Sequence, residues 1–138
     1  MELSIEINAP VSVVWDRITD FNVMPEWNPN VTSVHMLSMQ PSSKGTVIAV
    51  NRGWRQEILT ITRFKLDTYL AFALKINKRT GVSEYQLEEK NSGTVLKHNY
   101  SLKGGTKIRA IFTKVRLRNE LNALKRWIEK KRVAGELN

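Results

Sequence analysis

Cysteine is absent from the 138-residue sequence, and histidine occurs only twice, as His35 and His98. The lack of cysteine excludes disulfide bonds, a thiol nucleophile and cysteine-ligated metal sites. The two histidines do not have the His-x-His or His-Glu-x-x-His spacing that zinc and iron sites use. The sequence therefore predicts neither a metal centre nor another cofactor.

Glycine is also scarce, and its seven residues are scattered. Gly104-Gly105 is the only adjacent pair, while Gly53, Gly81 and Gly93 are isolated and indicate turns. No phosphate-binding glycine loop and no Gly-x-Ser-x-Gly nucleophile elbow occurs. The sequence thus lacks the signatures of P-loop nucleotide binding and of serine hydrolases.

Long apolar runs are missing as well. No stretch is long enough to span a bilayer, and residues 1–6 lack the basic start and apolar core of a signal peptide. We therefore expect a cytoplasmic protein.

Acidic residues are rare toward the C-terminus. Residues 103–138 contain eleven lysines or arginines and three glutamates, so this segment carries +8 of the formal net charge of +9. Such a concentration could give a weak contact with a polyanion or a membrane surface through a basic C-terminal helix. A solvated helix face is the simpler interpretation, which we favour, and no specific nucleic-acid motif is present.

The hydrophobic fraction of 41% is sufficient for one core, and we predict a single domain over residues 1–138. Residues 2–7 alternate polar and apolar side chains, which is typical of a half-buried strand. Pro10 then suits the first turn of a helix, and Pro25 and Pro29 prevent the helix from continuing. The helix has an apolar stripe of Val11, Val14, Trp15 and Ile18.

This opening resembles a known superfamily. The order of strand, Ala-Pro, helix with Trp15-Asp16, the run Thr19-Asp20-Phe21 and the segment 24–29 is similar to the start of START-like, or SRPBCC, proteins. These include polyketide cyclase/dehydrase-like and lipid-transport-like proteins. The resemblance implies a cavity for an apolar ligand but no single activity, because members bind or transform very different molecules.

The fold implied by the resemblance is the α+β helix-grip fold of START and Bet v 1-like proteins. It has a curved antiparallel sheet of about seven strands, two short helices after the first strand, and a long C-terminal helix packed across the sheet over a cavity.

The sequence pattern agrees with that fold. After the first helices, six strands are predicted at residues 31–39, 46–51, 54–64, 69–76, 82–89 and 94–103. Turn signals separate them, including residues 41–45, residues 77–81 and Asn91-Ser92-Gly93. We predict an antiparallel meander that is closed at one edge by the first strand.

The spacing of apolar residues predicts a C-terminal helix over residues 106–132, but the two halves of this helix carry their apolar residues on different sides. The second half has a docking stripe of Leu117, Leu121, Leu124 and Ile128. The stripe of the first half, which lies nearly opposite, consists of Ile108, Ile111, Phe112 and Val115.

Two conformations of this helix are consistent with the pattern. A kink near residues 115–117 would let both halves bury their apolar sides. A straight helix would direct Ala110, Thr113 and Leu117 toward the sheet and would expose the first stripe beside lysines and arginines. We favour the kink, because soluble monomers seldom expose four large apolar side chains together.

Strand alternation also predicts which side chains face the cavity. The less charged faces of the last two strands should point inward. Together with two residues of the C-terminal helix, the predicted cavity wall consists of Tyr85, Leu87, Leu96, His98, Tyr100, Thr113 and Leu117.

The strand at residues 54–64 leaves two alternatives. If Arg55, Glu57, Leu59 and Ile61 point inward, Glu57 is a buried carboxylate that needs a partner such as Arg55 or His98. If the alternate residues point inward, Glu57 is solvated.

His98 and Glu57 are the catalytic candidates. They could form a general acid/base pair, with Tyr85 or Tyr100 donating to a developing enolate oxygen. An isolated histidine in a strand is, however, more often a hydrogen-bonded wall residue. The resemblance, supported by these inward faces, implies a protein that binds a hydrophobic or aromatic small molecule, lipid-like or polyketide-like. A polyketide cyclase/dehydrase-type enzyme and an interaction protein with a basic helix are the alternatives.

Overall fold

Seven strands form one antiparallel sheet in the computed structural model, which describes residues 1–38, 43–133 and 135. The strands are β1 (Glu2–Ile7), β2 (Ser33–Met36), β3 (Val47–Asn51), β4 (Gln56–Lys65), β5 (Tyr69–Ile76), β6 (Arg79–Lys90) and β7 (Gly93–Leu102). Their spatial order is β1-β7-β6-β5-β4-β3-β2, so a meander from β2 to β7 is closed by β1. The predicted sheet is confirmed.

The connection between β5 and β6 differs from the prediction. β6 already begins at Arg79, so Gly81 lies inside the strand and only Asn77 and Lys78 form the turn. Asn77 has φ of 55°, a left-handed conformation that asparagine tolerates in a hairpin loop. Glycine is needed at position 81 because a Cβ atom there would lie 2.2 Å from the backbone oxygen of Ser101. The glycine therefore marks a close approach of two strands.

The other turn signals have different outcomes. Asn91 and Ser92 have φ of 51° and 66° and join β6 to β7, as expected for a two-residue hairpin. β2 is shorter than the predicted strand at residues 31–39. The end of that strand and the start of the turn at 41–45 fall on residues 39–42, which lie outside the described residues.

Two short helices follow β1, as predicted, and a 3-10 turn lies between them. They are α1 (Val11–Thr19), the 3-10 turn (Phe21–Val23) and α2 (Met24–Trp27). Pro10 occupies the N-cap position of α1, and Pro25 lies in the first turn of α2. The buried side chains of α1 are Val13, Val14, Trp15 and Ile18, while Val11 is half-buried. Trp15 packs edge-on against Phe64 of β4, which fixes this helix against the sheet.

The long C-terminal helix, α3 (Lys107–Val133), completes the core. Its predicted docking stripe is buried over the sheet: Leu117, Leu121, Leu124 and Ile128 are each at most 4% exposed. They join one apolar cluster with residues of α1 and the inner face of the sheet. None of the described helices is long and apolar enough to cross a membrane.

The expected kink in α3 is wrong. The helix runs without interruption from Lys107 to Val133, and the stripe of its first half remains exposed. The i to i−4 hydrogen bonds of one continuous helix keep the two stripes on different sides, so only the second stripe can reach the sheet. The first half of α3 consequently covers less of the sheet than the second half.

Candidate functional site

A cavity of about 70 Å³ lies between the inner face of the sheet, α1, α2 and α3. This is about half the volume of a cavity that holds benzene, so the space takes only one end of a ligand, such as a carbonyl group and the atoms beside it. Apolar side chains form most of its wall, including Ile18, Phe21, Leu59, Phe72, Leu74 and Leu121. We call this space the inner cavity.

An aromatic and polar cluster forms one wall of the inner cavity. The rings of Tyr85 and His98 stack at 4.2 Å between centroids, and Tyr100 meets His98 edge-on at 6.1 Å. The hydroxyl of Ser83 lies 2.8 Å from Nε2 of His98. Burial lowers the pKa of His98 to about 4, so its imidazole is neutral at neutral pH. His98 is therefore a hydrogen-bonded, uncharged part of the wall.

Apart from Nε of Arg52, which is ion-paired with Glu57, two buried polar groups of the cavity wall have no hydrogen-bond partner among the described residues. They are the hydroxyl of Tyr100 and the indole nitrogen of Trp27. Leaving a buried donor unpaired costs about 1–3 kcal/mol, and most such groups in folded proteins find a partner. Both groups can donate to an acceptor atom of a molecule placed in the cavity.

A buried charged network lies beside this wall and is centred on Glu120 of α3. Its carboxylate accepts hydrogen bonds from Arg116 at 2.9 Å, Asn28 at 2.8 Å, and Asn30 and Arg52 at 3.2 Å. Burial alone would raise the pKa of Glu120, but the two guanidinium groups and the two amides outweigh it and lower the pKa. The network joins α3 to the segment after α2 and to the turn between β3 and β4.

Glu57 extends the network from β4. It is 3% exposed, and Leu59 and Ile61 on the same strand face are also buried, so the strand face that contains Glu57 points inward. Its carboxylate pairs with Arg55 at 2.7 Å and with Arg52 at 3.1 Å. The hydrogen bond of His98 goes to Ser83 instead. Glu57 and His98 thus line the same cavity, but each has other partners.

The predicted wall residues have three different positions. Tyr85, His98, Tyr100 and Leu117 line the inner cavity. Leu87 and Leu96 are buried in the apolar core and are not part of its lining. They share the inward face as predicted, but alternation does not indicate where along a strand the opposing helices leave space.

Thr113, the remaining predicted residue, lines a second space of about 950 Å³, which we call the outer groove. The groove lies between the first half of α3 and the ends of β5, β6 and β7. Apolar and basic residues form it together, among them Trp54, Leu102, Arg79, Arg109 and Phe112. Tyr100 lines both spaces, so the outer groove adjoins the inner cavity.

The Glu120 network was not predicted from the sequence. One signal was present, because Glu120 lies three residues after Leu117 and four before Leu124, within the docking stripe. A carboxylate at such a position must be buried and must therefore have partners. The partners Asn28, Asn30 and Arg52 come from distant segments and gave no signal of their own. Within the described ranges, no group of His, Asp and Glu side chains is arranged to hold a metal ion.

Solved structures share this fold. A START superfamily protein from Mycobacterium smegmatis has a TM-score of 0.78 at 13% identity, covering 94% of this chain and 97% of that chain. The Zhui aromatase/cyclase from Streptomyces sp. R1128 has a TM-score of 0.77 at 13% identity, covering 95% and 93%. DynU16, a protein in the dynemicin biosynthetic locus, has a TM-score of 0.78 at 17% identity, covering 94% and 46%. The chain thus spans about half the length of DynU16.

Comparison at the level of sequence gives the family. No curated protein sequence matches the chain. A family model described as "Polyketide cyclase / dehydrase and lipid transport" matches residues 1–130, which is nearly the whole chain. The START-like resemblance found in the opening segment is thereby confirmed. The protein belongs to the polyketide cyclase/dehydrase and lipid transport family.

Proposed function

We propose that the protein binds an apolar small molecule, aromatic or lipid-like, that carries a hydrogen-bond acceptor such as a ketone oxygen. The observation that carries this proposal is the pair of unpartnered polar groups, the Tyr100 hydroxyl and the Trp27 indole nitrogen, in the wall of the inner cavity. An apolar wall supplies affinity, and a few polar groups fix orientation. An acceptor on the ligand would satisfy buried donors that otherwise remain unpaired.

The size of the ligand follows from the two adjoining spaces. The inner cavity, at about 70 Å³, accommodates only one end of a ligand, such as a carbonyl group and the atoms beside it. The rest of an aromatic or lipid-like molecule would extend past Tyr100 into the outer groove. The carbonyl of the ligand then belongs in the inner cavity, and the rest lies under the first half of α3.

The electrostatics of the wall support binding rather than catalysis. His98 has a pKa of about 4, which makes it a weak base, and its hydrogen bond to Ser83 occupies Nε2. The carboxylate of Glu57 is already paired with Arg52 and Arg55. A cyclase or dehydrase would need a base that is poised near the operating pH. We therefore place binding before the enzymatic alternative.

Native mass spectrometry of the purified protein, followed by titration with acetophenone, tests the proposal. Acetophenone has a ketone that can accept from the donors of the inner cavity and a ring that can extend into the outer groove. We expect either a stoichiometric apolar passenger or saturable one-to-one binding of acetophenone with a rise in thermal stability. Leu74→Phe should abolish binding, because Leu74 lines the cavity and a larger side chain fills it.

Val82→Phe is the matched control, since Val82 lies on the neighbouring strand and is exposed. Its binding should equal that of the wild-type protein. Circular dichroism checks that each variant folds. If Leu74→Phe does not fold, Tyr100→Phe serves as a second variant, and it should bind acetophenone more weakly than the wild-type protein does. Wild-type protein that is empty and does not bind acetophenone would overturn the proposal. A folded Leu74→Phe variant that binds normally would also overturn it.

A further inference from the structure

The first half of α3 exposes an apolar stripe. Ile108, Ile111, Phe112 and Val115 are 65%, 63%, 70% and 54% exposed, respectively. At 100° per residue they occupy an arc of about 100° on the helix surface, opposite Ala110 and Thr113. Contiguous apolar surface of this kind is uncommon on soluble monomers and marks an interaction site.

Basic residues flank the stripe on both sides. On the helical wheel Lys107 and Lys114 lie on one flank, and Arg109 lies on the other. The described part of the chain provides no ion-pair partner for any of the three. No acidic residue occurs between Lys90 and Glu120, so this positive charge is not compensated nearby along the chain.

We propose that this face of α3 docks on a membrane surface that contains anionic lipid. Apolar side chains with a basic flank on each side are the pattern of a helix that lies in the membrane interface. The lysines and arginines attract anionic head groups, while the apolar stripe enters the boundary with the acyl chains.

The same charges disfavour the main alternatives. A second copy of the chain would bring its own basic flanks against Lys107, Arg109 and Lys114, and like charges repel. A nucleic acid would use the basic residues but would leave Ile108, Ile111 and Val115 without an apolar partner. A surface of anionic lipid provides negative charge for the basic flanks and an apolar region for the stripe.

The docking surface is separate from the inner cavity, because none of the four stripe residues lines that cavity. Phe112 and Arg109 do line the outer groove, which therefore opens beside the docking surface. Docking would place the open side of the groove against the lipid head groups. The proposal itself requires no bound ligand.

Co-sedimentation of the full chain with lipid vesicles tests this proposal. One vesicle preparation contains phosphatidylcholine alone, and the other contains phosphatidylcholine mixed with phosphatidylglycerol. We expect binding to the mixed vesicles only, and the binding should weaken as salt is added. The double variant Ile111→Ser/Phe112→Ser should bind at least about tenfold more weakly, because two apolar side chains no longer enter the interface.

Leu66→Ser is the matched control for the apolar residues, since Leu66 is 69% exposed but lies between β4 and β5. For the charges, Lys107→Gln/Lys114→Gln should weaken binding, whereas Lys78→Gln in the turn between β5 and β6 should weaken it less. Failure of the wild-type protein to bind mixed vesicles would overturn the proposal. Unchanged binding of the Ile111→Ser/Phe112→Ser variant would overturn it as well. A concentration-dependent dimer that this variant abolishes, without vesicle binding by the wild type, would assign the stripe to a second copy instead.

Discussion

Acidification should destabilise the protein through His98. Burial holds the pKa of His98 at about 4 in the folded state, below its ordinary value of 6.5. Between these two values the unfolded chain binds a proton that the folded chain excludes. Stability is therefore highest above pH 6.5 and decreases as the pH falls toward 4.

The size of this effect follows from the two pKa values. With 6.5 in the unfolded state and about 4 in the folded state, the free energy of unfolding should fall by about 2 kcal/mol between pH 7 and pH 5. The buried carboxylate of Glu120, whose pKa is lowered below the ordinary 4.5, contributes stability that is lost only at lower pH. The interval from pH 7 to pH 5 consequently isolates the contribution of His98.

Urea unfolding at several pH values, followed by tryptophan fluorescence, measures this dependence. We compare the wild-type protein with His98→Gln, which keeps a polar side chain near Ser83 but cannot titrate in this range. The control is His35→Gln, because His35 is exposed on β2. His98→Gln should have a nearly constant free energy of unfolding from pH 7 to pH 5, and His35→Gln should retain the wild-type slope.

Two results would contradict this role of His98. A wild-type free energy of unfolding that stays constant between pH 7 and pH 5 would show that His98 titrates alike in both states. An equal slope in His98→Gln and the wild type would show that another group causes the dependence. The change in the free energy of unfolding with pH, rather than the absolute stability of the variant, shows whether His98 is responsible.

Glu120→Gln should destabilise the fold by about 3–5 kcal/mol in urea unfolding, because Arg52 and Arg116 lose a buried countercharge. The exposed Glu88→Gln, which loses only its surface pair with Lys97, should cost at most about 1 kcal/mol, and equal costs would contradict a structural network. Ser92→Gly should raise stability by several tenths of a kcal/mol, since Ser92 has φ of 66°, and a loss would contradict the hairpin geometry. Gly81→Ala should lower stability by about 1–3 kcal/mol, because its Cβ would meet the Ser101 backbone, and an unchanged unfolding midpoint would contradict that contact.

The sheet could be predicted from sequence because the patterns that indicate its strands and turns lie in short segments of the chain. Alternation placed Leu3 and Ile7 on the buried face of β1, and His98 and Tyr100 on the buried face of β7. The Asn91-Ser92 pair fixed the hairpin between the last two strands through its left-handed backbone. These features depend on residues that are close together along the chain, so they can be predicted from the sequence.

The first half of α3 could not be predicted with the same means. Periodicity located the stripes around Phe112 and Leu121 on different sides of one helix, but it could not decide whether the helix would bend to bury both. The expected kink relied on the rule that apolar side chains avoid water. The continuous helix exposes the first stripe instead, which is the reason for assigning it a partner.

The site could be predicted only in part, because a cavity depends on packing between distant segments. Leu96 and His98 are two residues apart on the same strand face, yet only His98 lines the inner cavity. Arg52 and Glu120 meet across 68 positions of sequence, and no local pattern records that contact. Sequence indicates which side chains are turned inward, whereas the space between them is a property of the whole fold.

Isothermal titration calorimetry can show whether the Tyr100 hydroxyl binds the ligand. The affinities of the wild-type protein and of Tyr100→Phe are measured for acetophenone and for ethylbenzene. The two ligands have similar shapes, but only acetophenone has an acceptor for the buried Tyr100 hydroxyl. We predict that the wild-type protein prefers the ketone and that Tyr100→Phe reduces this preference by about tenfold, or about 1.4 kcal/mol, while ethylbenzene affinity is retained. An equal ketone preference in both proteins, or no binding of either ligand, would contradict the proposal that the inner cavity binds its ligand through this donor.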